Sequence, residues 1–381
     1  MRVLYASHFG GMGGAEKSLL ELMLAVRPLG IKPVLLCPEG PFSRQATKNG
    51  IPSVHWPVHT LTRTQLAQFW WKSIPAVIAG WRKLGRQIEL LQPDILHVNS
   101  SQAMLWAGPM RWIRRSCPVV WHWRDFHRPG SCARLLARHA SLVIAISRCV
   151  RTFVSAGLGG AAKVALVENG VADLAPDVGR RGAEERAALG FSPDAPLIVM
   201  AGQSVPRKGH SIFLEAFARI IRKRPNAQAW MLCMEHDRQS AEHTLALRQQ
   251  ALDLECGGNI RITAGADEIG PVLSAADVVA VPSLREPFGR IAVEAMLAER
   301  PVVASNVDGL REIVVEGETG TLVEPGDATR LAEGLLNVLG RPDLWNAKMP
   351  AARHRALALY SPARVGSEIG SLYRELRGSG R

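Results

Sequence analysis

The stretch Val278-Val279-Ala280-Val281-Pro282-Ser283-Leu284-Arg285-Glu286-Pro287-Phe288-Gly289-Arg290-Ile291-Ala292-Val293-Glu294, running on through Ala295-Met296-Leu297 to Pro301-Val302-Val303-Ala304, decides the fold. Val278 to Val281 is a short apolar run of the kind that fills a buried strand. Pro287 marks a place where a helix can begin, because proline is tolerated at the first helical position. Pro301 to Ala304 reads as a second strand. Strand, loop, helix and strand in this order form the repeating unit of a parallel sheet covered on both faces. Two acids stand out within it. Glu286 precedes the proline. Glu294 falls in the second turn of the helix, and at about 100° per residue it projects between Ile291 and Leu297 with Ala298 on the same side. A carboxylate on the apolar side of a helix is costly unless something pairs with it. Both acids are therefore expected to face inward, toward a polar ligand.

The same rhythm runs outward in both directions. Before it, Arg2–Ala6, Pro33–Cys37, Asp94–Val98, Pro118–Trp121 and Leu142–Ala145 read as buried strands, with a helix over Ala15–Val26. Asn169-Gly170 is a turn signal, and Pro176 to Gly190 is polar and rich in Gly and Arg. The rhythm then restarts with strands at Leu197–Ala201, Ala229–Cys233 and Ile260–Thr263 and a helix over Gly209–Ile221. A last helix, Ala363–Arg377, follows Tyr360-Ser361-Pro362. The pattern predicts an α/β protein of two doubly wound units in tandem, residues 1–172 and 173–360, with ligands at the carboxyl ends of the strands and in the crevice between the units.

Composition sets the outer bounds. The 381 residues suffice for two cores, and 47% hydrophobic content with mean hydropathy +0.03 excludes a disordered chain. No run of about 18 apolar residues predicts a membrane span, and the start of the chain lacks the pattern of a signal peptide. A cytoplasmic protein is expected. Cys37, Cys117, Cys132, Cys149, Cys233 and Cys256 show no metal-ligand spacing and are expected to be free thiols. Charge is divided unevenly. Residues 1–172 carry 21 Lys/Arg against 7 Asp/Glu, and residues 173–381 carry 25 against 27. Eight of the ten tryptophans lie in the first part. That part is expected to meet something anionic.

Three strand-to-helix junctions carry candidate binding groups. Gly10-Gly11-Met12-Gly13-Gly14-Ala15-Glu16 joins the first strand to the first helix, where Gly13 and Gly14 would let backbone N–H groups approach a phosphate. The spacing is not that of the dinucleotide fingerprint, and a tight structural turn is the alternative. Gly202-Gln203-Ser204-Val205-Pro206-Arg207-Lys208-Gly209 places Lys208, with Arg207, beside a helix N-terminus, so cation and dipole would act on one anion. It is not a Walker A loop, and a solvated lysine is the alternative. At the third junction, Phe288, Gly289, Arg290 and Ile291 offer backbone N–H groups to an anion, Glu286 would accept from sugar hydroxyls, and Glu294 would accept from a ribose. The alternative is a surface acid next to an acid paired with a core arginine. Such junctions share one edge of a parallel sheet, so the coincidence outweighs each motif alone.

Over nearly its whole length the chain resembles the family 4 retaining glycosyltransferases of the GT-B fold. The most specific part is E-x7-E, from Glu286-Pro287-Phe288-Gly289 to Glu294, flanked by Ala276 to Ser283 and Arg300 to Ser305. Gly317-Glu318-Thr319-Gly320-Thr321-Leu322-Val323, Pro325-Gly326-Asp327, Gly13-Gly14-Ala15-Glu16 and Val167-Glu168-Asn169-Gly170-Val171 agree as well. The resemblance implies two Rossmann-like domains facing across a cleft, with residues 361–381 packing back on the first. It implies a transferase that moves a sugar from a nucleotide sugar with retention of configuration, without cofactor or metal. Glu286 would hold the donor sugar, Glu294 the ribose, the amides from Phe288 to Ile291 the diphosphate, and Lys208 its leaving charge. His122, in Trp121-His122-Trp123-Arg124-Asp125, matches a histidine that follows its strand and faces the donor sugar. The acceptor would lie mainly against the first domain. Gln203 stands where the family usually has Arg, so Arg207 or Arg290 would have to replace that cation. Met234-Glu235-His236-Asp237 replaces a glycine-rich turn, which leaves the nucleobase contacts open.

Between Glu39 and Glu89 there is no acid but there are seven Lys/Arg, interleaved with Phe69-Trp70-Trp71-Lys72 and Trp81-Arg82-Lys83; Met110 to Arg115 repeats the mixture. Aromatics beside cations suit an anionic membrane surface, and with it a glycan or lipid-linked acceptor in the cell envelope. Solvated arginine-rich helices over buried tryptophans are the alternative. Another sugar-nucleotide enzyme of the same fold, such as an epimerase or a glycogen-synthase-like transferase, and an inactive binding module are the neighbouring alternatives. Nucleic-acid binding is disfavoured, since no recognised module is present and the acids would go unexplained.

Overall fold

The structure, a computed structural model, describes residues 1–58, 78–107, 117–126, 131–266 and 268–378. The chain divides into two compact units, Met1–Gly170 with Pro362–Arg381, and Val171–Ser361.

The first unit is built on seven strands: β1 (Arg2–Ala6), β2 (Lys32–Cys37), β3 (Ser53–His55), β4 (Ile95–Val98), β5 (Val119–Trp123), β6 (Leu142–Ala145) and β7 (Val164–Leu166). Their order is β3-β2-β1-β4-β5-β6-β7, with every pairing parallel. The central strands are apolar on both faces because helices cover both. One face packs on the Gly14–Val26 helix and on the C-terminal Pro362–Gly378 helix, through a core that includes Tyr5, Leu19, Met23, Ile95, Val120, Val365, Ile369 and Tyr373.

The second unit holds β8 (Leu197–Gln203), β9 (Gln228–Met234), β10 (Ile260–Ala264), β11 (Val278–Val281), β12 (Val302–Ser305) and β13 (Gly320–Val323). Their order is β10-β9-β8-β11-β12-β13, again all parallel. Val278 pairs with Ile198 and Ala280 with Met200, so the loops after β8 and β11 leave the sheet at the same edge.

Two expectations need correction. Strands β3, β7 and β13 lie outside the expected set; each sits at a sheet edge, is only three or four residues long and is largely half-exposed. The helix after β11 spans Arg290–Leu297 and not a segment from Pro287, because Gly289 caps it in a left-handed conformation (φ 111°). Among the described tryptophans of the first unit, Trp56, Trp106, Trp121 and Trp123 are buried and Trp81 is half-buried. Phe69 to Lys72 and Met110 to Arg115 lie outside the described residues. Among the described residues, five cysteines are free and no helix is long and apolar enough to cross a membrane.

Candidate active site

In a doubly wound sheet, ligands bind where the strand order reverses, at the carboxyl ends of the two central strands. In the second unit that point lies between β8 and β11. The β8 strand ends at Gln203, and Pro206–Lys208 then make one tight turn before the His210–Lys223 helix. Gly209 links the turn to the helix at φ +76°, and a Cβ there would lie 2.0 Å from the Pro282 carbonyl oxygen of the β11 loop. Only glycine allows the two loops to come this close. Leu284 N–H then donates to the Arg207 carbonyl at 2.8 Å.

This approach brings Lys208 and Glu286 together. Lys208 Nζ donates to Glu286 Oε2, and the side chains are only 17% and 10% exposed. Ser283 Oγ donates to the same oxygen at 3.3 Å. The Glu286 backbone is held as firmly: its N–H donates to Asp308 Oδ2 at 3.0 Å, and its carbonyl accepts from Gly309 N–H at 3.0 Å. Asp308 also takes Arg285 Nε at 2.8 Å and adopts a positive φ of 41°. Holding a non-glycine residue in that region costs about 1 kcal/mol or more, and its hydrogen bonds to the Glu286 loop offset that cost.

Glu294 lies one turn into the neighbouring helix, buried, with Oε1 2.8 Å from Arg290 Nε. The inward acid and the arginine-paired acid are thus one residue. Gly289 and Ile291 stand at the start of this helix, where the first N–H groups have no intrahelical carbonyl to bond. The Phe288 ring is buried edge-on against Tyr360, centroids 5.6 Å apart, so only its backbone is placed for binding. Gln203 Oε1 accepts from Arg207 Nη2 at 3.1 Å, which tethers an exposed cation to the position where the family pattern has its own arginine.

In the first unit the order reverses between β1 and β4. Gly13 caps the Gly14–Val26 helix, and its N–H donates to Glu16 Oε2 at 3.3 Å. A Cβ on Gly14 would touch nothing within 4 Å, so the protein's own packing does not require glycine there. Glu16 is buried, and burial pushes its carboxyl up to about 7 despite the opposing pull of its backbone hydrogen bonds and the Arg124 charge. Arg124, just past β5, donates from Nε to Asn99 Oδ1 at 2.6 Å and from Nη1 to Asn169 Oδ1 at 2.5 Å. His122 lies inside β5 and not after it. It is 2% exposed, held by His97 and Arg124, and its Nε2 is enclosed without a hydrogen-bond partner. Burial and the Arg124 charge hold it well below the usual imidazole range, so it is neutral.

Sequence reasoning missed Asp308, Arg124, Asn99 and the role of Asn169. Asp308-Gly309 carried a readable turn signal; the others converge only in the folded sheet.

Comparison with known proteins settles the family. A model described as Glycosyltransferase Family 4 matches residues 12–173, and one described as Glycosyl transferases group 1 matches residues 182–355. The chain is a family 4 glycosyltransferase. It is 25% identical to a lipopolysaccharide core biosynthesis glycosyltransferase of Rhizobium meliloti over 339 residues, 87% of each chain. It is 28% identical to a D-inositol 3-phosphate glycosyltransferase of Corynebacterium urealyticum over 342 residues, 82% of this chain and 76% of that one. Among solved structures, the Anabaena HepE protein in complex with UDP-glucose shares the fold, with TM-score 0.83 and 24% identity over 98% of this glycosyltransferase and 100% of that chain.

Proposed function

We propose that the second unit binds a nucleoside-diphosphate sugar and that the enzyme moves the sugar to an acceptor hydroxyl with retention of configuration and without a metal ion. The observation that carries this reading is the meeting of Lys208 and Glu286 at the switch point of the second sheet, beside the start of the Arg290–Leu297 helix. The UDP-glucose held by the Anabaena neighbour supports a donor of that class.

In the free protein the lysine and the acid neutralise one another. A donor would exchange the partners: Lys208 and the helix-start amides turn to the diphosphate, and Glu286 accepts from the sugar hydroxyls. Glu294 would accept from the ribose while Arg290 holds its other side, and Arg207, tethered by Gln203, supplies the cation that the glutamine lacks. As the bond from C1 to the phosphate oxygen breaks, negative charge grows on the leaving diphosphate. A fixed donor aimed at such charge contributes about 3–4 kcal/mol. The acceptor hydroxyl attacks C1 on the same face and passes its proton to the departing phosphate oxygen. In the first unit Gly13 and Gly14 keep the start of their helix accessible to an anion, and His122 acts through Arg124.

The acceptor is assigned to cell-envelope glycans or glycolipids on the strength of the lipopolysaccharide relative. The cationic excess of residues 1–172 favours work beside an anionic membrane surface. Thermal-shift screening against UDP-, GDP-, ADP- and TDP-sugars tests the donor, since a ligand at about a hundred times its Kd adds about 2.7 kcal/mol of stability. A flat screen would remove the proposed donor site. NMR of the product's anomeric proton tests retention. Absence of salt-sensitive flotation with anionic liposomes would end the membrane reading.

A further inference from the structure

The first unit carries a buried polar chain that runs from Arg124 and His122 to residues the transferase reading does not use, His97, Tyr373 and Tyr5. Tyr5 of β1, His97 of β4 and His122 of β5 lie among the residues facing the first and last helices. His122 Nδ1 is 3.3 Å from Arg124 Nη2 and 3.1 Å from His97 Nε2. His97 Nδ1 is 2.7 Å from the Tyr373 hydroxyl, and the Tyr5 hydroxyl lies 3.3 Å beyond. His97, His122, Tyr5 and Tyr373 are all buried.

The direction of this chain follows from one fixed end. A guanidinium only donates, so Arg124 donates to His122 Nδ1. With that nitrogen accepting, the proton of the neutral His122 ring sits on Nε2. His97 Nε2 faces the same accepting nitrogen and must donate, sharing its lone pair with Arg124. His97 Nδ1 is then an acceptor, and the Tyr373 hydroxyl, within reach of both His97 Nδ1 at 2.7 Å and the Tyr5 hydroxyl at 3.3 Å, gives its single proton to the shorter contact. The reverse direction would set a proton on His122 Nδ1 against the Arg124 cation.

We propose that Tyr373, on the C-terminal helix, is a positioning residue that fixes the Arg124 guanidinium at the carboxyl edge of the first sheet through His97 and His122. Arg124 gathers the ends of three segments, Asn99 after β4, its own after β5, and Asn169 after β7. The helix that closes the chain therefore reaches the rim of the first unit through a hydrogen-bonded path, not through packing alone. The inference rests on the transferase reading only where turnover is measured.

Solution NMR of the full chain labelled with 15N at histidine and arginine tests it. The expected wild-type spectrum shows both His97 and His122 protonated on Nε2; a proton on His122 Nδ1 overturns the relay. In Tyr373→Phe, solvent exchange of the Arg124 Nε–H is expected to rise about tenfold, the scale of one hydrogen bond. Tyr5→Phe, equally buried but beyond the relay, is expected to leave that exchange unchanged. Equal acceleration in the two variants means general loosening of the core and overturns the proposal. In a His122→Phe background, Tyr373→Phe should add nothing further; multiplying effects would show that Tyr373 does not act through His122. Turnover is expected to fall about tenfold in Tyr373→Phe and to hold in Tyr5→Phe, and equal turnover in both overturns the positioning role. The NMR readout needs no sugar transfer, so it distinguishes failure of the relay from failure of the transferase reading.

Discussion

Replacing Lys208 by methionine separates the two things this residue does. Methionine keeps the apolar stem packed and removes the charge. If Lys208 stabilises the departing diphosphate, the loss appears in the transition state and costs about 2.7–4 kcal/mol, so kcat and kcat/KM should fall together by roughly a hundred- to a thousandfold. Folding should suffer separately. The side chains of the pair are 17% and 10% exposed, and without the lysine Glu286 keeps only the Ser283 hydroxyl among its side-chain contacts described above. A mostly buried acceptor stranded in this way costs about 1–3 kcal/mol. For a unit of this size each kcal/mol lowers Tm by about 2–4 °C, so the variant should melt several degrees lower. The double variant Lys208→Met, Glu286→Gln removes the stranded charge. It should regain most of that Tm while remaining inactive, a coupling that single variants cannot reveal. Steady-state kinetics and calorimetry on the four proteins decide. A folded Lys208→Met enzyme turning over within about threefold of wild type would refute the electrostatic role. A double variant no more stable than the single one would refute the paired-charge account.

Further consequences follow from the loops and from burial. Gly209→Ala combines a left-handed backbone with a contact 2.0 Å from the Pro282 oxygen, so it should cost about 3 kcal/mol or more in chemical denaturation; a cost under about 1 kcal/mol would show that the two loops do not meet. Glu16 has its carboxyl raised from 4.5 to about 7, so the folded chain holds the proton longer and this group loses stability as pH rises between those values. The stability difference between Glu16→Gln and wild type should therefore grow in favour of the variant from pH 4.5 to about 7, by about 3 kcal/mol at most, and a pH-independent difference would count against the burial argument. His97 runs the other way. Burial lowers it from 6.5 to about 3, so it contributes stability that is lost as pH falls below 6.5, on the order of 5 kcal/mol at the acid end. With His122 shifted in the same direction, the histidines outweigh Glu16. Unfolding free energy should fall as pH drops from 6.5 toward 5, and a rise over that range would contradict the neutral pair.

The parts of this fold that were readable in the sequence are those where one local rule suffices. A central parallel strand is apolar on both faces, so β1, β8 and β11 announced themselves as short valine, leucine and isoleucine runs between turn residues. The outermost strands of the first sheet, β3 and β7, are three residues long and have no fully buried position, too short to stand out as a strand. Lys208 and Glu286 could each be suspected from a loop, but their meeting could not, since 78 residues separate them and a glycine contact between two loops brings them together. The arginine reading and the ligand reading of Glu294 looked like rivals in the sequence. Folding makes them compatible, because a helical spacing of four lets Arg290 hold one oxygen of an inward carboxylate. His122 shows the opposite limit. The family resemblance implied a residue after its strand, facing the donor sugar, yet β5 runs on through Trp123 and the imidazole is buried within it. What fixes its chemistry is then Arg124, two residues along the chain, together with His97, which reaches it from β4. The interactions hardest to read from the chain are those that close over the greatest sequence separation, and in this protein they lie beside both switch points.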